Sequence, residues 1–422
     1  MNNLFYVALM WFSTIIGGAI NYLYHPLMIQ YLSIHEFAEF ESLVGVFNIL
    51  WVLTTGVSLF LVKEIAKNSK NLVMVKSIFR FSNVFLLVFG CTAYLVFALF
   101  SPFIARFLKF DSVYPVLLTG LIIIFSFQWT VVWAVLQGLK RFRFIAFGWI
   151  LSSIFRLLFG VIFVFFGYKL YGAIGWFIIA GAFVFFLNFF YTWNILKNYE
   201  TIDTIDTLKK DFKKDSVHIF HFFLLAFFLA ILMNMDVIFA KNLFDSNAAG
   251  IYAGLSVLAK FLIFLWWAIE TVYYPQIMEH RKEEVPRHFL INSFFMLLIL
   301  TISALVFHYF FGGMILNLMK KWLGEFVDIF LFILIFCGLY TFISLYSKVL
   351  IGWKVYAINY VLWAFLAILI ALLLFLWNMD MRTFIFLFIG FSFVIALLCG
   401  AMVYITILKD RKPRAIEVED FM

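Results

Sequence analysis

IFLFILIFCGLYTFISLYSKVLIG, residues 329–352, decides the fold. Its first 19 residues, Ile329 to Ser347, hold no charged side chain and no proline. A helix of that length extends about 28 Å, close to the ~30 Å of hydrocarbon in a bilayer. A barrel strand would alternate apolar and polar positions over ~10 residues, and this run does not alternate. Inside hydrocarbon the backbone must satisfy its own hydrogen bonds, so the stretch reads as a transmembrane helix.

The same pattern repeats on both sides of it. Apolar blocks separated by charged or turn-rich breaks predict twelve spans, at roughly 4–31, 38–62, 77–105, 112–136, 144–166, 172–196, 217–240, 248–275, 288–311, 326–350, 355–377 and 383–408. Hydrophobic residues make up 66% of the chain and charged residues 13%, at a mean hydropathy of +1.06. A soluble domain carries roughly twice that charge, which excludes a water-facing globule. The fold class is an all-α polytopic membrane protein.

Basic residues orient the bundle. Lys63, Lys67, Lys70, Lys76 and Arg80 fall on one side, with Lys140, Arg141, Arg143, Lys197, Lys209, Lys210, Lys213 and Lys214. Arg281, Lys282, Arg287, Lys348, Lys354, Lys409, Arg411, Lys412 and Arg414 join them, while the opposite side has a much shorter set. The positive-inside rule then places both termini in the cytoplasm. Loop lysines beside anionic lipid account for the net charge of +8 without any nucleic acid. The N-terminus lacks a basic leader and a small-residue cleavage site, so it reads as a retained span. Cys91, Cys337 and Cys399 all fall inside spans and suggest neither a disulfide nor a metal site.

The chain divides into two similar halves. Val135-Leu136-x-Gly138-x-Lys140-x-Phe142 follows the fourth span, and Val349-Leu350-x-Gly352-x-Lys354-x-Tyr356 follows the tenth. A weaker echo links Leu32–Phe40 with Leu243–Ile251, each opening the second span of its half. Six helices per half insert in the same orientation, so the pseudo-two-fold axis runs along the membrane normal. The expected organisation is a six-helix lobe at 1–198, a cytoplasmic amphipathic linker at 199–216, a second six-helix lobe at 217–408 and a tail at 409–422. In the linker Ile202, Ile205, Leu208 and Phe212 share a helical face with lysines on its flank, which predicts an interfacial helix.

Several stretches carry a family resemblance. Leu32-Ser-Ile-His-Glu-Phe-Ala-Glu-Phe-Glu41, Leu136-Gln-Gly-Leu-Lys-Arg-Phe142 and Asn234-Met-Asp236 through Asn247-Ala-Ala-Gly-Ile-Tyr-Ala253, with Tyr274-Pro275, resemble polysaccharide flippases. These form the Wzx-type O-antigen branch of the multidrug/oligosaccharidyl-lipid/polysaccharide exporter superfamily. The resemblance implies alternating-access transfer of polyprenyl-pyrophosphate-linked oligosaccharide from the cytoplasmic to the outer leaflet. It further implies a bacterial cytoplasmic (inner) membrane location, contacts with membrane lipids and polysaccharide-assembly partners, no cofactor and no enzymatic step.

Such a substrate needs a cation for its phosphates and flat or polar surfaces for its sugars. Of the 31 basic residues only Arg156 and Lys260 fall inside helices. Arg156 lies ~18 Å along the fifth helix, near the bilayer middle, where a cation costs at least ~2.5 kcal/mol. The spans put the first lobe's acids, Glu36, Glu39, Glu41, Glu64 and Asp111, at helix ends, so a phosphate-binding role suits Arg156. The competing role is snorkelling or bonding to backbone carbonyls. Lys260 and Asp236 approach one another on antiparallel neighbours and read as an ion pair that could also line the cavity.

Polar rows mark further cavity candidates. Ser126, Thr130, Trp133 and Gln137 share a face of the fourth helix bordered by Trp129; Thr14, Gly18, Asn21 and His25 share one of the first; Ser256, Lys260 and Trp267 lead toward Glu270 on the eighth. His218, His221 and His308 lack metal-ligand companions and read as packing residues. The alternative function is a secondary exporter of a small solute or drug, although the first helix has no Asp or Glu for ion coupling. A glycan polymerase or ligase is the remaining class. It needs a large outer loop with catalytic groups, and the longest outer loop expected here lies near 312–325.

Overall fold

The computed structural model describes residues 2–267, 270 and 287–410. Tyr274-Pro275, Arg281, Lys282 and the tail beyond Asp410 lie outside the described residues. Within them the chain forms α1 (Asn2–Tyr31), α2 (Ile34–Lys67, with a 3-10 turn at Val52–Thr54), α3 (Leu72–Phe107), α4 (Tyr114–Gly138), α5 (Phe142–Phe163) and α6 (Lys169–Leu196). The second half supplies α7 (Ile205–Leu243), α8 (Ser246–Trp267), α9 (Arg287–Met319), α10 (Val327–Gly352), α11 (Ala357–Phe375) and α12 (Met381–Asp410). Eleven of these are long and apolar enough to cross a bilayer by length and composition, and α1, at 30 residues, precedes them. The chain is a polytopic all-α membrane protein in two lobes, α1–α6 and α7–α12. Short connections make successive helices antiparallel within α1–α8 and within α9–α12. The end of the bundle at which α1 begins is called the terminal end, with the distal end opposite.

The duplicated motif is a duplicated helix cap. After α4 the amides of Lys140 and Arg141 bond to Gln137 O and Leu136 O at 3.0 and 2.7 Å. After α10 the amides of Lys354 and Val355 bond to Ile351 O and Leu350 O at 2.9 and 2.8 Å. Lys140 and Lys354 both adopt the left-handed region, with φ of 57° and 62°. The same Schellman-type ending also closes α3, where Lys109 has φ 53° and the Lys109 and Phe110 amides bond to Arg106 O and Ala105 O, so the echoed motif is one use of a cap made three times. The second helix of each half also starts alike. Ser33 Oγ accepts from the Glu36 amide at 3.2 Å, and Asp245 Oδ1 accepts from the Ala248 amide at 2.7 Å.

Two expectations change. The basic amphipathic segment is not a separate helix, because α7 runs without a break from Ile205 through Leu243. Its lysines and acids extend the span, and Asp211 and Asp215 reach across to Lys67 and Lys63 on α2. Second, the stretch near 312–325, expected as the largest of several short outer loops, is helical. Gly312 to Met319 completes α9, and Lys321–Phe326 forms a 3-10 turn into α10. The apolar run Met314-Ile-Leu-Asn-Leu-Met319 lets the helix continue past the glycines.

The lobes meet along two seams. The α2–α7 seam holds from end to end, through Glu39–Lys241 (3.9 Å), Asn48–Asn234 (3.0 Å), Phe60 against Phe212 (ring centroids 5.2 Å) and Lys67–Asp211 (2.7 Å). At the distal end Asn242 Nδ2 donates to Phe107 O at 2.5 Å and Lys109 Nζ donates to Phe244 O at 3.4 Å. The described contacts between α1 and α8 gather at Tyr22, which donates to Leu258 O at 3.2 Å and packs on Phe261 and Phe264. From there toward the terminal end α1 presents exposed Trp11, Phe12 and Ile15, and nothing lies within 4 Å of a side chain built on Gly18.

The distal seam depends on Gly250. A Cβ there would lie 2.4 Å from Ile34 O, a main-chain atom that cannot swing aside. Gly250→Ala should wedge the distal end open at a cost of about 1–3 kcal/mol to the closed state. That is a factor of roughly 5–150 in the open population. The measurement is the rate at which an impermeant maleimide labels Ala249→Cys, a buried neighbour, with Cys91 replaced. An unchanged rate would show that this contact does not hold the seal.

Candidate functional site

The first lobe brings α1 and α5 close together. Gly160 permits this, since a Cβ there would sit 2.5 Å from the Tyr24 ring. Tyr24 is fully buried and donates to Ala173 O at 2.8 Å, fixing α1 against α6 as well. One turn earlier on α1, Asn21 Oδ1 accepts from Arg156 Nη1 at 3.0 Å, with both residues part-buried. The midspan arginine therefore joins the polar row of α1. One residue past Tyr24, His25 Nδ1 lies 2.5 Å from Glu41 Oε1 on α2.

Glu41 corrects the expectation that first-lobe acids stay at helix ends. It is 4% exposed and packed between helices, as an acid two turns inside α2 can be when an imidazole meets it. Glu39, likewise, is buried and approaches Lys241 across the lobes. The sequence signal existed: Glu41 lies seven residues into α2, level with the last turns of α1 that carry His25.

The polar face read on α4 is divided. Ser126 and Thr130 are buried and donate to Ile123 O and Ser126 O, both at 2.9 Å within their own helix. They do not line a cavity, because back-bonded hydroxyls serve close helix packing. Trp129 and Trp133 remain partly exposed, as does Gln137, which is open. The two indoles belong to a larger row. Phe47 and Trp51 of α2 lead through Trp129 and Trp133 of α4 to Trp149 of α5, with successive ring centroids 6.1, 6.5, 6.2 and 6.3 Å apart. All five rings are half-buried, so one side of the row stays open. Trp149 Nε1 is among the side-chain atoms without a hydrogen-bond partner. Arg156 follows Trp149 by two helical turns, about 10 Å along the same face of α5. Phe47, Trp51 and Trp149 were not singled out in sequence, because aromatic residues are common throughout this chain.

The second lobe holds a buried charge cluster. Asp236 of α7 accepts from Lys260 Nζ at 2.9 Å and from Ser256 Oγ at 2.6 Å, both on α8. The expected pair is thus formed, and Asp236 has no exposed surface. Glu270 pairs with Lys348 of α10 at 2.6 Å, while Trp267 is partly exposed. His221 stacks on Tyr356 at 4.2 Å, and His218 Nδ1 shares a 3.2 Å hydrogen bond with the Tyr356 hydroxyl.

No family model and no curated protein matches the chain. Solved structures do. An inward-facing multidrug resistance MATE transporter of the MOP superfamily aligns at a TM-score of 0.74, with 14% identity over 95% of this chain and 100% of that one. An outward-facing multidrug resistance MATE transporter of the MOP superfamily gives 0.63, with 12% identity over 97% and 96%. A MOP superfamily transporter from Pyrococcus furiosus, described as having a binding pocket of reversed polarity that suggests a different function, gives 0.60 at 13% identity over 96% of each. At these identities the shared property is architecture: the chain has the two-lobed helical fold of MOP superfamily transporters.

Proposed function

We propose that this protein is a secondary transporter working by alternating access, with both termini in the cytoplasm and its substrate held between the lobes. Supporting it are the fold, the continuous α2–α7 seam and the exposed α1 side chains on the terminal side of Tyr22. The larger TM-score against the inward-facing structure points the same way. The transported molecule combines an acidic group with ring-shaped parts. The observation that carries this is Arg156 standing two turns beyond a half-open row of four indoles and a phenyl ring. A guanidinium binds phosphate oxygens in pairs, and indole faces stack on flat or CH-rich rings.

A polyprenyl-pyrophosphate-linked oligosaccharide has both parts, and flipping it across the bilayer is the reading this geometry favours. Asn21, His25 and Trp133 would then line its path with Arg156. A second reading, export of a small amphipathic solute or drug, is favoured by the multidrug resistance transporters of the same fold. Reconstitution separates them. Vesicles holding the full chain should expose a pyrophosphate-linked oligosaccharide to an external glycosidase faster than empty vesicles do, without accumulating lipophilic cationic dyes. Dye transport with no glycolipid transfer would establish the second reading in place of the first.

A further inference from the structure

A cleft of about 700 Å³ opens at the terminal end, on the outer flank of the first lobe and apart from the indole row. It lies between α3 and α6 and is roofed by the chain that leaves α6. Lys76 Nζ holds that roof by donating to Lys197 O at 3.0 Å and to Tyr199 O, while the Ile202 amide donates to Ser77 Oγ at 2.8 Å. Lys76 is therefore engaged with the main chain.

The groups left for a ligand are of two kinds. Arg80 and Glu200 are both exposed at the cleft, and neither forms an ion pair among the described residues. Asn83 lines it as well. Its amide nitrogen donates to Phe79 O at 2.8 Å, but its side-chain oxygen is buried and accepts no hydrogen bond. The floor is aromatic, with Phe79, Phe189 and Trp193. Exposed Val84 and Val88 of α3, and Phe186 and Phe190 of α6, continue outward from it into the span. The Asn83 oxygen has no open surface, so the site offers a cation that donates, a carboxylate that accepts, and an apolar track long enough for an acyl chain.

We propose that this cleft binds a phospholipid whose headgroup joins a phosphate to a primary ammonium, the class of phosphatidylethanolamine. Arg80 takes the phosphate, Glu200 takes the ammonium, and the acyl chains lie along α3 and α6. A pyrophosphate carrier lipid fits less well, because Glu200 would repel it. A quaternary choline headgroup keeps the charge but has no N–H for Glu200. A glycerol headgroup has no cation for Glu200.

The test is native mass spectrometry of delipidated full-length protein with matched phosphatidylethanolamine, phosphatidylcholine and phosphatidylglycerol. Phosphatidylethanolamine should be retained about fivefold over either of the others, the value of one ordinary hydrogen bond or exposed ion pair. Glu200→Gln should erase most of that preference, and Arg80→Ala should weaken retention of all three lipids. Both residues are exposed, so an unchanged melting temperature serves as the folding control. Equal retention of the three lipids, or a preference that survives Glu200→Gln, would overturn the assignment. Displacement of bound phosphatidylethanolamine by substoichiometric polyprenyl pyrophosphate would overturn it too, making the cleft a substrate entrance.

Discussion

Lys260→Met alone should cost about 3–5 kcal/mol of stability, and Lys260→Met combined with Asp236→Leu should cost far less. The single change leaves a carboxylate with no exposed surface beside the Ser256 hydroxyl, 2.6 Å away, and the buried Tyr252 side chain, with no cation to balance it. The double change removes both charges and replaces them with apolar groups of similar volume, and such swaps are often neutral. Ser256 can then turn to a carbonyl of its own helix, so it is not stranded. Thermal unfolding of the purified protein in detergent reads the difference. If the double variant melts as low as the single one, the two residues are not coupled and the 2.9 Å contact contributes nothing specific. Transport by a well-folded double variant would further show that the pair is structural and carries no coupling ion.

Arg156→Ala should lower transfer of a pyrophosphate-linked substrate by roughly 10- to 100-fold, the worth of one charge-assisted contact. Arg156→Lys should recover only part of this, since a point charge replaces a planar fork. Asn21 accepts from Arg156 Nη1 and so orients the guanidinium without supplying charge. Asn21→Ala should therefore raise the substrate concentration needed for half-maximal transfer while leaving the maximal rate nearly intact. Quantified membrane protein must accompany the assay. Full transfer by normally inserted Arg156→Ala would remove Arg156 from the substrate path and leave it a structural clasp between α1 and α5.

The two cations inside the spans show how far a sequence reaches. Lys260 and Asp236 could be paired on paper because a short turn makes α7 and α8 neighbours, and position along each helix then sets their depth. Arg156 could be given a depth by the same reasoning, but its partner sits on α1, far away in the chain. Nothing local says which of eleven other helices α5 will touch. Gly160 and Tyr24 settle it through side-chain shape, as one close approach decides which polar atoms come within reach. The histidine–glutamate contact escaped for the same reason: Glu41 looked like a helix-end acid until α1 packed across it.

Hydrophobic patterning acts at every residue and needs no knowledge of neighbours. The sequence by itself therefore determined the helical class, the span order and the motif repeated after α4 and α10, while the cap that this motif forms came from the structure. Side-chain exposure on a membrane helix has no such readout, because lipid and protein interior are equally apolar. Only the tertiary structure could decide that Ser126 and Thr130 are buried while Trp129 and Trp133 stand half-open, and that Phe47, Trp51 and Trp149 complete their row. It also decided that the lobes close at the distal end, where the Ile34 carbonyl leaves room at Gly250 for a hydrogen atom and nothing larger.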